Sequence, residues 1–331
     1  MIRNAFLLFS VLMPALLLAQ SGERVFPFLG IAVSPRQAAL GGDAVSVRDY
    51  DVNFAAVNPS LMNLEMHGRV SMNYGSYLAG SSYGTAAFVR DLEQGHLISA
   101  QVRYLDYGRM ARTDEFGNTL GEFSASDALA GIGYAYQFEE DWTIGGSVNF
   151  ITSKIDNYTS MAVAGTGAIT YSVKEWQSSI SLVARNFGYQ FKTYDGKRER
   201  LPLRVDLGYT QILPEFPAAI TVTAHDLQKF DTSSEYDVNG KKVGFGRKLA
   251  DHFSIGAELF PKSGFNMRFG YNPKRGNELA VEDQRSFAGI SAGFGVRIAG
   301  FRFDYAHVRY HNAANMNFFG LMLDVSGSRH Y

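Results

Sequence analysis

Residues 253–271 decide the fold: Phe253-Ser-Ile-Gly-Ala-Glu-Leu259, the connection Pro261-Lys-Ser-Gly264, then Phe265-Asn-Met-Arg-Phe-Gly-Tyr271. In both runs an apolar residue stands at every second position. Ser254, Gly256 and Glu258, then Asn266, Arg268 and Gly270, fill the places between. This period puts one set on each face of an extended strand. A short Pro- and Gly-containing link between two such runs is a hairpin. The alternation returns in Leu203, Val205, Leu207 and Tyr209, in Ile220, Val222 and Ala224, and in Ile290, Ala292, Phe294 and Val296.

Extended in both directions, the pattern predicts strands over 68–77, 82–91, 95–108, 126–137, 142–155, 160–173, 178–186, 203–211, 218–227, 251–260, 265–272, 287–298, 301–311 and 317–325. The number is even, as in single-chain bacterial barrels, and most runs reach the length that a tilted strand needs to cross a bilayer. Every second connection is short: Leu92–Gln94, Phe138–Asp141, Lys174–Gln177, Ile212–Pro217, Pro261–Gly264 and Ala299–Gly300. The other set contains the long ones, Arg109–Ala125, Phe187–Pro202, Gln228–Ala250 and Pro273–Ser286. Sorting loops by parity is the periplasmic and extracellular asymmetry of outer-membrane barrels, which a soluble sandwich has no reason to show. Aromatics at strand ends (Tyr104, Tyr107, Phe260, Tyr271, Tyr310) sit where interfacial girdles belong. The expected fold is all-β: a 14-stranded antiparallel transmembrane barrel over residues 67–331, located in the bacterial outer membrane.

Composition agrees by exclusion. The 331 residues carry a net charge of −1, no cysteine and 34 glycines. Near-neutral charge argues against a nucleic-acid partner. The absence of cysteine removes disulfides, thiolate metal ligands and thiol nucleophiles. Mean hydropathy is close to neutral, because strand alternation cancels the lipid-facing half. At the N-terminus Arg3, the apolar run Ala5–Ala19 and the small-residue site Leu17-Leu18-Ala19 read as a signal peptide over 1–19. That run is shorter than the roughly 20 residues a spanning helix needs.

Residues 20–66 read differently. Gly30-Ile-Ala-Val-Ser-Pro-Arg-Gln-Ala-Ala-Leu-Gly-Gly42 is rich in small residues, with a helical stretch expected at Pro35–Leu40. A compact segment of this kind suits a hatch inside the barrel, where glycine lets backbone approach the wall. Asn58-Pro59 marks a tight turn leading toward the first strand. The motif positions are Ala39, Gly41, Gly42, Asp49, Asp51, Asn58 and Pro59. The pattern "AALGG-x-AVS…D-x-DV…A-x-NPSL" resembles the opening of the PorV/PorQ family of type IX secretion barrels, within the FadL-like superfamily. Tyr107-Gly108-Arg109, Asp114–Asn118, Gly121–Ala125 with Asp127, and Thr223–Lys229 are most similar to its PorQ-like members. The resemblance implies a hatch-bearing barrel that anchors a cell-surface attachment complex. It also implies protein partners: a sortase-like PorU, the shuttle barrel PorV and the surface protein PorZ. Outer-membrane lipid and lipopolysaccharide are further expected contacts. A FadL-type transporter of hydrophobic molecules is the alternative, although no continuous apolar lumen stripe can be assigned from sequence.

The lumen face should carry Arg103, Arg204, Asp206, Glu258, Arg268, Arg297, Arg302 and Asp304, either as a selective channel or as a paired filling. Inward Gly208, Gly256, Gly270, Gly293 and Gly295 would make room for that filling. No catalytic, metal or cofactor residues are assigned. His307 and His311 share a strand face but lie about 13 Å apart by strand rise. Neither S-x-x-K nor K-T-G occurs to support acyl-serine chemistry. Candidate partner-binding positions lie on two loops. Asp114, Glu115 and Asn118 belong to a hairpin expected in 109–125. Lys229, Tyr236, Lys241 and Lys242 belong to 228–250, where Asn239-Gly240 signals a type I′ turn.

Overall fold

The computed structural model describes residues 25–77, 80–233, 235–237, 240–278, 288–311 and 314–325. The predicted signal segment 1–19 lies outside them. The strands are β1 (Arg69–Ser76), β2 (Ser82–Asp91), β3 (His96–Thr113), β4 (Thr119–Gln137), β5 (Trp142–Ile155), β6 (Tyr158–Val173) and β7 (Ser178–Lys192). They continue as β8 (Arg204–Ile212), β9 (Ala218–Ala224), β10 (Phe253–Leu259), β11 (Phe265–Tyr271), β12 (Ile290–Ile298), β13 (Phe301–His311) and β14 (Ala314–Asp324). Each pairs antiparallel with its sequence neighbours, and β1 pairs with β14, from Arg69↔Asp324 to Ser76↔Asn317, so the sheet closes.

The alternation sorts as chemistry requires. Met72, Val102, Ile132, Val148, Phe269 and Leu321 project outward and are exposed. Their neighbours Asn73, Gln101, Asn149, Arg268 and Met322 are buried on the inner face. A continuous outer wall of exposed aliphatic and aromatic side chains belongs in lipid, since soluble proteins rarely expose apolar patches beyond a few hundred Å². Lipid offers no hydrogen bonds, and a closed barrel leaves no unpaired strand edge. The protein is therefore an outer-membrane β-barrel.

Two sequence expectations are revised in extent. Most of residues 109–125 is strand: β3 and β4 stay paired through Arg109↔Ser124 to Thr113↔Thr119, leaving only a tip. Likewise β7 continues to Lys192, with a bulge at Asn186, whose φ is +59°. Beyond Arg185 it pairs with β6 alone, because β8 begins at Arg204. Tyr107 leaves the expected girdle: its hydroxyl turns to Asp127 at 2.7 Å. The side chain of Tyr310 lies outside the described set. At Ala299-Gly300 both residues have positive φ, the geometry that lets a two-residue hairpin follow strand twist.

Residues 25–66 run down the lumen. The amide of Val25 donates to the Arg200 carbonyl at the long-loop end, whereas His67 Nδ1 accepts from the Asp91 amide beside a short turn. Helix α1 (Pro35–Ala39) starts because Ser34 caps it, accepting from the Gln37 amide at 3.2 Å, and Pro35 occupies its first turn. It ends where Gly41 and Gly42 take φ of +89° and +87°. The helix lies against β11–β14. Two 3₁₀ turns, Val52–Ala56 and Pro59–Leu61, lie against β1–β3 and β4–β6. Gly208, Gly256, Gly270 and Gly293 are where the wall accepts this segment, whereas Gly295 makes room for Asp304 and the Arg268 guanidinium. A Cβ at Gly256 would stand 2.8 Å from Leu40 Cβ, and one at Gly270 would stand 2.5 Å from the Ala39 carbonyl oxygen.

Gly270→Val should therefore unseat the segment while the barrel still closes. The expected result is faster tryptic cleavage at Arg36 and Arg48, a loss of about 1–3 kcal/mol from overpacking, and retained heat-modifiable mobility on gels. Unchanged protease resistance would refute this contact.

Candidate functional site

The lumen holds the candidate site, and its charges form two groups. In the first, Arg36 of α1 meets Asp49 and Glu258 of β10, each at 2.6 Å, and Asp51 at 3.5 Å. Glu258 also accepts from Arg268 Nε at 2.9 Å. Arg268 reaches Asp304 at 2.6 Å and bonds Asn266, while Arg302 meets Asp304 at 2.7 Å. Three strands and the segment are thus joined through side chains that are nearly all buried. Asp51 Oδ2 has no hydrogen-bond partner, although Oδ1 accepts from the Asn53 amide and side chain.

The second group lies along β7–β9. Arg204 meets Asp43 at 2.5 Å and Asp206 at 2.8 Å, and Arg185 bonds Asp206. Asn272 donates to Asp43 at 2.6 Å. Asp226, just past β9, meets His225 at 3.0 Å and Lys274 at 3.2 Å. Burial opposes ionisation of Asp226, but His225, Arg204 and Lys274 together hold its carboxyl well below the usual carboxylate range.

Two expected network members are corrected. Arg297 is exposed at the short-turn rim, where its guanidinium stands 5.3 Å from the Tyr50 ring centroid with no acid partner among the described residues. Arg69 and Arg302 stack on the same ring at 4.9 and 5.1 Å. Strand alternation could not reveal this, because β12 leaves the enclosed lumen before Arg297. Arg103 does face inward, but it donates to the Ala56 carbonyl at 2.8 Å and to Gln101, not to a carboxylate.

The motif positions of the segment are placed as follows. The Ala39 carbonyl accepts from Ser291, which in turn accepts from the Gly41 amide. Gly42 closes α1 through its amide to the Gln37 carbonyl at 2.9 Å. Asp49 and Asp51 belong to the Arg36 group. Asn58 caps the turn at Pro59 and donates to the Val45 carbonyl at 2.8 Å, and Pro59 packs against Gly145. Val45 and Ser46 press on β8: Ser46 Oγ lies 2.8 Å from Thr210 Oγ1, and a Cβ at Gly208 would collide with both residues.

These contacts separate two cavities on the β7–β9 side. The one toward the short turns has about 480 Å³ and includes Arg48, Glu65, Lys174, Ser179 and Thr210 in its lining. The one toward the long loops has about 270 Å³ and includes Leu29, Asp43, Arg103, Arg185 and Arg204. Elsewhere the long-loop half holds an apolar patch, bordered by buried Asp127, Ser153, Ser160 and Gln190. Phe26, Phe28 and Leu29 pack among Tyr83, Leu105, Leu129, Ile151, Val308 and Phe318. This answers the missing apolar stripe: the patch takes about one residue from each of several strands.

The loop positions converge neither with the lumen nor with each other. Asp114 organises the β3–β4 tip by accepting from the Phe116 and Asn118 amides and the Asn118 side chain, and those bonds hold it below the usual carboxylate range. Glu115 is exposed beside it. In 228–250, Tyr236 bridges Lys242, and the Asp237 amide bonds the Lys241 carbonyl. The expected turn at Asn239-Gly240 lies partly outside the described residues; Gly240 itself takes φ +72°. Lys229 begins this loop, half-buried. Helix α2 (Phe245–Ala250) completes it.

Glu258→Gln leaves Arg36 and Arg268 without their shared acid, so it should cost about 3–5 kcal/mol as a broken buried pair. The urea midpoint measures this at constant m value. A loss under about 1 kcal/mol would mean that the pair behaves like a surface one.

No family model matches the chain, and no curated protein matches it. Solved structures do share its fold. The toluene transporter TbuX of Ralstonia pickettii superposes with TM-score 0.56 at 11% identity, over 89% of this chain and 98% of that one. The monoaromatic hydrocarbon channel CymD gives 0.54 at 11% identity, over 91% and 99%. A FadL homologue of Pseudomonas aeruginosa gives 0.52 at 10% identity, over 88% and 98%. The chain thus has the 14-stranded fold of FadL-type outer-membrane barrels.

Proposed function

We propose that this barrel admits small hydrophobic compounds across the outer membrane. The observation that carries the reading is the apolar patch in the long-loop half of the lumen, now filled by the chain's own Phe26, Phe28 and Leu29. These side chains occupy the volume that an aromatic hydrocarbon would take, and an entering ligand would displace them. The likeness in fold to proteins described as toluene transporters and hydrocarbon channels supports the same reading.

Ile151→Glu places an unpaired carboxylate in this patch. Uptake of radiolabelled toluene by cells expressing the variant should fall to that of cells lacking the barrel, whereas wild type should exceed it. Phe28→Ala should leave uptake unchanged or raise it. Equal uptake with and without wild-type barrel would overturn the proposal.

A second reading is the attachment scaffold implied by the PorV/PorQ resemblance, with PorU, PorV and PorZ as partners. It is favoured by the projecting β3–β4 hairpin, which presents Asp114, Glu115 and Asn118 beyond the shared wall. Removing 111–121 should abolish co-purification of a sortase-like protease from native outer membranes if this reading holds. Recovery of the barrel alone from the wild-type strain would reject it.

A further inference from the structure

The cavity beside β7 and β8 is not an apolar space. Its lining includes Arg103, Arg185, Arg204 and Lys274, against the carboxylates Asp43 and Asp226. Asp206 stands behind, bonded to Arg185 and Arg204. Arg204 and Lys274 are answered by these acids. Arg103 is not: no carboxylate lies within ion-pair distance of it among the described residues, and its bonds go to a carbonyl and an amide oxygen. Arg185 shares Asp206 with Arg204, and its buried Nε has no hydrogen-bond partner.

A half-buried cation without a counter-charge is costly, and the buried, unsatisfied Arg185 Nε beside it adds to the cost. A bound anion relieves both. The rest of the lining selects which anion, because Leu29, Ile31, Val33, Val57 and Pro202 supply apolar surface. The volume of about 270 Å³ is on the order of nine water volumes. That space suits a compact aromatic acid and not a long acyl chain. Where the β7–β8 ladder stops, Asn186 and Pro202 continue the same lining, with the Asn186 side chain donating to the Pro202 carbonyl at 3.2 Å.

We infer that this cavity is a binding site for a small organic monocarboxylate, with Arg103 and Arg185 as its carboxylate ligands and the Leu29–Val57 side as its apolar floor. Arg103 needs the anion and Arg185 has a donor to give. The planar guanidinium suits both, since its paired donors match a carboxylate's two oxygens. The site shares Leu29 with the apolar patch around Phe28, but its carboxylate ligands Arg103 and Arg185 lie outside that patch, so toluene uptake can fail while this proposal stands, and the reverse.

The test is equilibrium dialysis of the detergent-solubilised full chain with radiolabelled benzoate. Saturable binding near one per chain is expected, and Arg103→Gln should weaken it about ten-fold or more, as loss of a charged hydrogen bond does. On wild type alone, benzamide has the same shape without the charge and should bind about ten-fold or more weakly by the same reasoning. Benzamide binding as tight as benzoate would overturn the proposal without reliance on any variant's folding. So would benzoate binding that is absent, or that Arg103→Gln leaves unchanged. Inorganic phosphate should compete poorly, and competition equal to that of unlabelled benzoate would overturn the apolar floor.

Discussion

Everything in this structure follows from the demand that no backbone amide or carbonyl be left unpaired in hydrocarbon. Strands meet that demand only by closing on themselves, and the pairing of β1 with β14 closes the ring. Closure then creates a second problem. A ring of this many strands encloses more space than its own inward side chains fill. Residues 25–66 supply the missing matter, and the inner face is shaped to receive them: glycine where the backbone passes close, charge where Arg36 and Asp43 arrive. The outer face is uniform because lipid is uniform. The inner face is particular because it meets one specific stretch of chain.

That difference explains what could be read from the sequence. The strands were legible because lipid imposes a strict two-residue period, and loop parity made their order readable as well. Ends were less legible where strands outgrow the membrane. Beyond Arg109 the outward positions turn polar and the apolar signal fades, whereas beyond Asn186 the exposed Phe187, Tyr189 and Phe191 keep the period but the bulge shifts its phase. The inward glycines were legible as a group. Their individual partners were not, since Gly208 finds Ser46 and Gly256 finds Leu40 across more than 160 positions of sequence.

The charges divide in the same way. Glu258, Arg268 and Asp304 could be named from strand alternation, because each sits on a regular inner face. Arg36, Asp43 and Arg185 were missed. Arg36 is an isolated cation in a small-residue stretch, and nothing local shows that it will be buried among acids from distant segments. Arg185 immediately precedes the bulge at Asn186, where the regular period breaks. Arg297 failed for the opposite reason: its parity was right but its depth was wrong. Period specifies face and says nothing of height along the barrel axis.

The route of the N-terminal segment also constrains how the molecule is made. Val25 lies near the long loops, and the chain descends the whole lumen before turning into β1, the strand that seals against the last one. Ion pairs and glycine contacts hold it to strands on several sides. A finished ring offers no easy way to thread such a segment through its narrow interior. A sheet that curls around the segment needs no such threading, and residues 25–66 would then serve as the mandrel on which the strands are wound.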